Sequence, residues 1–433
     1  MSNQIPLKEP DIFEIQHLGE CKFDSPVKNA NFTPIDAKIL YDRDFSIMKK
    51  RYLEHNKVFA MEKAGPRAKI FHDPAWSKAA ILTAGGLCPG LNDVIKSITL
   101  TLKHQYHIPV VYGIRYGYAG LNPACGHKPI ILDENTVDGI HEQGGTILAS
   151  SRGAQDTETM LETLVRMDIN LLFCIGGDGT LRAAHDLAVA AKKHELNISI
   201  VGVPKTIDND ISCMDKTFGF ETAVYATNPI ISVAHNEAKG AYNGVGLIHV
   251  MGRDSGFIAA YAALANTHAN FCLIPEEKFS LEDGEDAFLP KLFERLQRRH
   301  HAVVIVAEGA GQDLIGGSRE KDKSGNVLHE NIGLFLKDKI KEYSKKVGIE
   351  ATIKYFDPTY TIRGIPANGT DAVFCLLLGQ NAVHAAMAGC TDMVVGHWNE
   401  SFTHVPIPMA VRERKKIDIN GSLWRALRMT TSC

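Results

Sequence analysis

The chain has 433 residues, of which 45% are hydrophobic and 22% are charged, and its formal net charge at pH 7 is −3. This length is enough for two or three domains with apolar cores. The balance of charge excludes the strongly basic character of a dedicated nucleic-acid-binding protein, so we expect no nucleic-acid partner.

We find no targeting signal, so we expect a cytoplasmic protein. Residues 1–16 are polar and acidic, and they lack the apolar core of a signal peptide. No apolar run is long enough to cross a bilayer, so we expect no membrane partner. The nine cysteines include no Cys-x-x-Cys pair, which is typical of free thiols in a reducing compartment.

A regular alternation begins after residue 75. Short apolar runs, each followed at once by glycine or polar residues, lie near Ala79, Leu171, Ile198, Gly246 and Ala302. Such runs are typical of strands buried on both faces of a parallel sheet. The amphipathic stretches 156–167 and 181–194 predict helices between them. The pattern predicts an α/β fold, whose ligands bind at the carboxyl ends of the strands.

Two segments depart from this alternation. Residues 1–75 are polar and show no βα pattern, so we expect an N-terminal extension that packs on the main body. Residues 309–327 are rich in glycine and charge, which predicts a solvated loop. A moving flap over a site is the alternative for this second segment.

Two glycine-rich motifs follow predicted strands, TAGGLCPGLND at 83–93 and IGGDGT at 175–180. Glycines allow the backbone to approach phosphate oxygens, and a helix N-terminus favours an anion. In the first motif Asn92 or Asp93 is the expected helix cap, and a simple tight turn is an equal alternative. In the second, Asp178 is a candidate Mg2+ ligand, with a helix cap as the alternative role.

The motif PKTIDND, residues 204–210, carries two carboxylates. In an extended segment Asp208 and Asp210 would point to the same side. One carboxylate would accept a proton from a hydroxyl while the other orients its neighbours. Lys205 and Thr206 would contact phosphate or sugar oxygens, and a purely structural acidic turn is the alternative.

Arg253 follows a predicted strand and a glycine, and Arg152, in GGTILASSRG, and Arg363, in DPTYTIRG, are further candidates. A guanidinium binds phosphoryl oxygens bidentately, although surface ion pairs are the alternative for each. Glu308, at the end of another predicted strand, would accept a hydrogen bond from a sugar hydroxyl. Phosphate-binding backbone, a metal carboxylate, a base and arginines together indicate phosphoryl transfer.

Seven motifs occur in an order that resembles the phosphofructokinase family, and the resemblance extends from about Gly65 to the end of the chain. They are GGLCPGLND, GGTILASSRG, GGDGT, PKTIDND, MGRDSGFIA, VAEG and DPTYTIRG. The stretches AGPRAKIF, SSRGAQD and NGSLWRALR are most similar to the long ATP-dependent enzymes of plants and kinetoplastids. The resemblance implies transfer of the ATP γ-phosphoryl, with Mg2+, to the 1-hydroxyl of fructose 6-phosphate in glycolysis.

The resemblance also implies roles for individual residues. Asp208 corresponds to the proton acceptor, assisted by Thr206, Asp210 and Arg253, and Asp178 corresponds to the Mg2+ carboxylate. The implied donor-site residues are Gly86, Tyr118, Arg152, Gly177, Asp178, Gly179, Thr180 and Lys205. The implied sugar-phosphate residues are Thr206, Asp208, Asp210, Met251, Gly252, Arg253, Glu308, Lys354, Tyr360 and Arg363.

Two positions bear on the phosphoryl donor. Gly179 favours ATP, because pyrophosphate-dependent relatives carry Asp there and a carboxylate would repel the α-phosphate. Lys205 is shared with pyrophosphate users, but plant-like ATP enzymes also combine GGDGT with PKTIDND. A pyrophosphate-dependent enzyme and a non-catalytic sugar-phosphate sensor on the same fold remain alternatives. Diacylglycerol and NAD kinases share GGDGT but do not explain the other motifs.

By resemblance the fold is two Rossmann-like three-layer α/β domains with an N-terminal extension. We expect the extension at 1–75, a donor domain at 76–217 plus about 362–400, and a fructose 6-phosphate domain at 218–361 plus about 401–433. A homotetrameric, allosteric enzyme is implied as well. Gly244, Ala269 and Leu100 depart from the short bacterial form, so we expect its nucleotide-effector site to be absent.

Overall fold

The computed structural model describes residues 10–28, 31–316, 320 and 328–431. The strands are β1 Gln16–His17, β2 Phe23–Asp24, β3 Lys38–Leu40, β4 Ala60–Lys63, β5 Lys69–Ile70, β6 Lys78–Thr83, β7 Val110–Ile114, β8 Ile130–Ile131, β9 Leu171–Gly176, β10 Ser199–Pro204, β11 Gly244–Val250, β12 Phe271–Leu273, β13 His301–Ala307, β14 Thr352–Phe356, β15 Cys390–Thr391, β16 Met393–Trp398 and β17 Ser401–Pro406. Of the predicted 309–327 loop, residues 317–319 and 321–327 lie outside the described residues, and residues 312–315 form a short helix and not the predicted loop.

Helices connect and cover these strands. The α-helices are α1 Phe45–His55, α2 Leu91–His104, α3 Thr157–Arg166, α4 Asp178–Lys193, α5 Phe220–Lys239, α6 Phe257–Asn266, α7 Phe288–Arg299, α8 Gln312–Ile315, α9 Ile332–Val347, α10 Thr359–Arg363, α11 Gly369–Met387, α12 Ile407–Ala410 and α13 Ser422–Thr430. Short 3-10 helices cover Pro10–Phe13, Gly117–Leu121, Pro123–Cys125 and Ile140–Glu142. The two helices predicted from amphipathic spacing correspond to α3 and α4.

The larger sheet has nine strands in the order β3-β4-β17-β16-β10-β9-β6-β7-β8. Its centre is parallel, with Phe173 of β9 opposite both Val201 of β10 and Ile81 of β6. Every residue of β9 and β10 is buried, because helices cover both faces. The α/β architecture predicted from the apolar runs is confirmed.

The smaller sheet contains four parallel strands in the order β12-β13-β11-β14. In its centre Gly246 of β11 lies opposite Val303 of β13 and Lys354 of β14. The five apolar runs predicted as strands are therefore divided between two sheets, three in the larger and two in the smaller.

Helix α2 begins differently from the prediction. Its N-cap is Gly90, at φ 97°, and neither Asn92 nor Asp93 caps it. A Cβ at Gly90 would lie 2.6 Å from Cys375 Sγ, so close packing and a left-handed backbone both favour glycine. The Asn92 side chain instead bonds the backbone of Gln143 and Ile147, which joins α2 to the neighbouring loop.

The ends of the chain extend the larger sheet. Strands β3 and β4 come from the predicted N-terminal extension; β4 pairs with β17, and β3 pairs with β4. The prediction placed 401–406 in the second domain, but these residues form β17 beside β16. Asn399 and Glu400 both have positive φ, which forms a tight two-residue hairpin and folds β17 back onto β16. The other domain boundaries stay predictions.

Within the described ranges, none of the helices combines the length and the apolar character needed to cross a membrane. The eight cysteines of this part of the chain form no disulfide with one another.

Candidate active site

A cleft of about 950 Å³ lies at the carboxyl ends of strands from both sheets. The segments that follow β6, β9 and β10 line one side, and the residues that follow β11 and β13 line the other. This is where the strand pattern predicts ligands to bind. Nearly all of the predicted site residues meet in this one cleft.

Glycine-rich backbone and the N-terminus of a helix form the donor side of the cleft. Helix α4 begins at Asp178, directly after Gly177, so its first N–H groups face the cleft. Tyr118 lies beneath this turn, and its hydroxyl donates to the carbonyl of Thr180 at 2.7 Å. A Cβ at Gly86 would lie 3.5 Å from Nη2 of Arg152. Phosphate-binding backbone and a guanidinium therefore lie side by side.

The Lys205 side chain joins the loop after β10 to the glycine-rich loop after β6. Its side chain is buried, and Nζ donates to the carbonyl of Gly86 at 2.8 Å. Burial lowers the pKa of this lysine. The cation is thus fixed beneath the glycine turn that would receive phosphate.

The segment 205–210 is a turn, not the extended segment predicted from its spacing. Asn209 has φ 54°, a left-handed conformation that asparagine tolerates better than most residues. The Thr206 hydroxyl donates to Asp210 Oδ1 at 2.8 Å and accepts from the Asp208 amide at 3.1 Å. Side-chain bonds within the turn, and not strand alternation, orient the two carboxylates.

Asp208 carries a buried carboxyl group at the middle of the cleft. Its Oδ1 has no hydrogen-bond partner in the described part of the chain. Burial, followed by the nearby charges of Asp210 and Glu308, raises the pKa of Asp208 to about 8. Arg253 and Arg414 act in the opposite direction and lower it. A carboxyl with such a pKa is suited to exchange a proton near neutral pH.

The segments that follow β11, β13 and β14 present Met251, Arg253, Glu308, Tyr360 and Arg363 to the cleft. Arg253 has φ 33°, a strained backbone for a residue with a side chain. The Arg363 guanidinium lies 4.6 Å from the centre of the Tyr360 ring. Two arginines and a carboxylate on one wall fit a phosphorylated polyol.

Two predicted residues lie away from the cleft surface. Gly252 is buried behind it, at φ 144°, where a Cβ would lie 2.3 Å from the carbonyl of Ser255. Lys354 lies on the edge strand β14, and its Nζ is 3.6 Å from Glu237. The structure therefore does not bring Lys354 to the cleft, and its place in the sugar site stays a prediction.

Sequence reasoning missed Arg414, which also lines the cleft. Its guanidinium contacts Asp210, Asp178 and Asp254. Arg414 lies in the basic run RERKK, which looks like a solvated surface segment. No spacing signal connects that run to the acidic motifs far upstream.

Asp178 suits a hard divalent cation. Its carboxylate is half-buried at the start of α4, and burial raises its pKa while Arg414 lowers it. Mg2+ takes oxygen ligands, commonly one or two carboxylates together with phosphates and water. One carboxylate beside a phosphate-binding turn supplies that donor set, so Asp178 would hold the metal.

The two-sheet α/β fold, the bare phosphate-binding turns and the buried carboxyl between arginines define a phosphotransferase. Residues 78–386 match the sequence model of the phosphofructokinase family. The chain belongs to the phosphofructokinase family, which confirms the predicted resemblance.

Relatives cover almost the whole chain. An ATP-dependent 6-phosphofructokinase of Borreliella burgdorferi (strain ATCC 35210 / DSM 4680 / CIP 102532 / B31) is 46% identical over 97% of this chain and 96% of its own length. An ATP-dependent 6-phosphofructokinase of Trypanosoma cruzi (strain CL Brener) is 44% identical over 86% of this chain and 76% of its own length. This trypanosome protein and proteins of Arabidopsis thaliana confirm the predicted similarity to the kinetoplastid and plant enzymes.

A solved structure agrees with the fold. The pyrophosphate-dependent phosphofructokinase from Marinobacter aquaeolei superposes with a TM-score of 0.66, covering 82% of this chain and 91% of that one. At 21% identity this likeness supports the architecture alone.

Proposed function

We propose that this protein is an ATP-dependent 6-phosphofructokinase. It transfers the γ-phosphoryl of ATP to the 1-hydroxyl of fructose 6-phosphate, giving fructose 1,6-bisphosphate in glycolysis. The observation that carries the proposal is the buried Asp208 carboxyl, whose Oδ1 has no hydrogen-bond partner among the described residues, between the glycine-rich turns and the arginines of the cleft. Relatives 40–46% identical over most of the chain carry this activity in their names.

The acceptor sugar would bind on the wall formed by Arg253, Glu308 and Arg363. The Arg363 guanidinium would bind the 6-phosphate, and Arg253 would lie toward the 1-hydroxyl near Asp208. The Glu308 carboxylate would accept a hydrogen bond from a ring hydroxyl. This arrangement would place the 1-hydroxyl against Asp208.

Asp208 would then remove the proton of the 1-hydroxyl. The oxygen forms a bond to the γ-phosphorus while the bond between that phosphorus and the β–γ bridging oxygen breaks, and ADP leaves. Arg253 and the first N–H groups of α4 would stabilise the charge that develops on the transferred group. Mg2+, held by Asp178, would neutralise phosphate charge.

Gly179 supports ATP as the donor. It is the second residue of α4, it lines the cleft, and it presents no side chain to the donor side. Lys205 is the residue that favours pyrophosphate, and its position beneath Gly86 is compatible with either donor. The names of the relatives specify ATP, and we give them more weight than Lys205 in assigning the donor.

A cytoplasmic location and a homotetrameric, allosteric assembly belong to the same proposal. They rest on the family resemblance and on the expected absence of a targeting signal.

The test is to assay fructose 6-phosphate phosphorylation with Mg2+, offering ATP and pyrophosphate in parallel. Turnover with ATP alone would support the proposal and the role of Gly179. Turnover with pyrophosphate alone would overturn the donor assignment but keep Asp208 as the base. Saturable sugar-phosphate binding without turnover by either donor would favour the sensor alternative.

A further inference from the structure

Arg414 holds together three acidic groups from separate parts of the chain. Its Nη1 lies 2.5 Å from Asp210, and its Nη2 lies 3.5 Å from Asp178. Its Nε lies 3.7 Å from Asp254, which follows β11 of the smaller sheet. Each nitrogen of the guanidinium therefore faces a different carboxylate, across the cleft that separates the two sheets.

The backbone that carries Arg414 is firmly attached to the Asp208 turn. Arg414 pairs with Ile211 in an antiparallel bridge, and the Lys415 amide donates to the carbonyl of Asp210 at 2.8 Å. The buried Lys415 ammonium donates to the carbonyls of Met214 and Asp215 at 3.1 and 2.9 Å. These bonds fix the backbone of Arg414 next to the Asp208 turn. A rearrangement at this point would therefore involve the Arg414 side chain and not its backbone.

The charges explain why a cation is needed at this point. The carboxylates of Asp178, Asp210 and Asp254 would repel one another in a partly buried site. The Arg414 side chain is 22% exposed, so solvent screens its attraction to these groups only in part. Arg414 and a divalent cation at Asp178 would have to share the same carboxylate.

We propose that Arg414 is a positioning residue that acts as the internal counter-cation of Asp178. The Arg414 guanidinium would leave Asp178 when a divalent cation binds there, while its contacts with Asp210 and Asp254 would keep the Asp208 turn in place. The inference rests on the proposed function only in taking Asp178 as the metal carboxylate.

The experiment measures Mn2+ binding to the full chain without nucleotide or sugar, from the EPR signal of free Mn2+. Arg414→Met should bind Mn2+ at least tenfold more tightly than the unmodified protein, because the competing charge is gone. Arg414→Lys should gain less than Arg414→Met, about threefold or less, since a cation remains but contacts fewer carboxylates. Arg412→Met is the matched control, an exposed arginine on the same segment, and should leave the affinity unchanged.

The gain should depend on Asp178. The double variant Arg414→Met, Asp178→Asn should lose it, which separates this carboxylate from any other Mn2+ site. Unchanged or weaker Mn2+ binding by a folded Arg414→Met protein overturns the proposal. Arg414→Gln replaces the methionine variant in this comparison if the latter does not fold.

Measuring the turnover of the same proteins separates a failure of the proposed function from a failure of the role proposed for Arg414. Failure of the unmodified enzyme to phosphorylate fructose 6-phosphate would overturn the proposed function and leave the Mn2+ result interpretable. An active enzyme whose Arg414→Met variant shows no gain in Mn2+ affinity would overturn only the role of Arg414.

Discussion

Replacing Asp208 with asparagine tests the centre of the proposed mechanism. The side chain keeps its size in a buried position but loses the ability to accept a proton from the sugar hydroxyl. A positioned general base contributes about 10²- to 10⁴-fold to the rate, so we expect kcat to fall by about a thousandfold. The affinity for fructose 6-phosphate should change by less than about threefold, because Arg253, Glu308 and Arg363 are untouched.

The pH dependence of the unmodified enzyme follows from the same carboxyl. Asp208 must be ionised to act as a base, and its pKa is raised to about 8 in the folded protein. We therefore expect kcat/KM to rise with pH through the neutral range and to level off above about pH 8. The Asp208→Asn variant should lack this acid limb.

The free energy of unfolding should fall as pH rises through this range, whereas kcat/KM should rise. The folded-state pKa of Asp208 lies above the ordinary value of 3.8, so the folded protein holds the proton more tightly than the unfolded chain. The contribution of this group is fully present below about pH 4 and is lost as pH rises to the folded-state pKa, by at most about 1.4 kcal/mol per pH unit. Asp208→Asn should therefore raise Tm, and the increase should grow between pH 5 and pH 8.

Steady-state kinetics with ATP and thermal melts across that pH range make the measurement. Asp338→Asn, at an exposed carboxylate on α9, is the control and should resemble the unmodified enzyme. Near-normal turnover by Asp208→Asn would refute the base assignment. A pH-independent difference in Tm would refute the raised pKa.

Three other substitutions test the two walls of the cleft. Gly179→Asp should raise KM for ATP at least tenfold, because a carboxylate would repel phosphates at the start of α4. The control is Gly369→Asp, where a Cβ meets no other atom, and unchanged ATP kinetics of Gly179→Asp would contradict the donor assignment. Arg253→Ala should lower kcat and raise KM for fructose 6-phosphate by about tenfold each, and initial rates showing neither defect would remove it from the site. Lys205→Met should reduce kcat/KM for ATP at least tenfold while the circular dichroism spectrum stays unchanged, and a normal value would remove this lysine from the donor side.

Local motifs predicted much of the site. Gly86, Asp178, Asp208, Arg253 and Glu308 each follow a predicted strand, and the structure brings all five to one cleft. The reason is that parallel strands end at the same edge of a sheet, so residues just beyond them meet whatever their separation in the chain. The two sheets then face each other across the cleft.

Other features of the fold and the site could not be predicted from local sequence patterns. The turn at Asp208 depends on the left-handed Asn209 and on side-chain bonds within 206–210, which alternate spacing does not reveal. Strand β17 belongs to the larger sheet because a tight hairpin returns it to β16. Lys354 was placed in the sugar site from resemblance, yet its strand lies at the sheet edge beside Glu237.

The amino-acid sequence by itself determined the α/β class, the family and most of the groups that would handle phosphate, since these depend on short apolar runs and the residues directly after them. Only the tertiary structure decided what surrounds those groups. Burial raises the pKa of Asp208, and packing brings Arg414 to Asp178, Asp210 and Asp254. Burial and charge proximity depend on contacts between segments far apart in the chain, which no local pattern encodes.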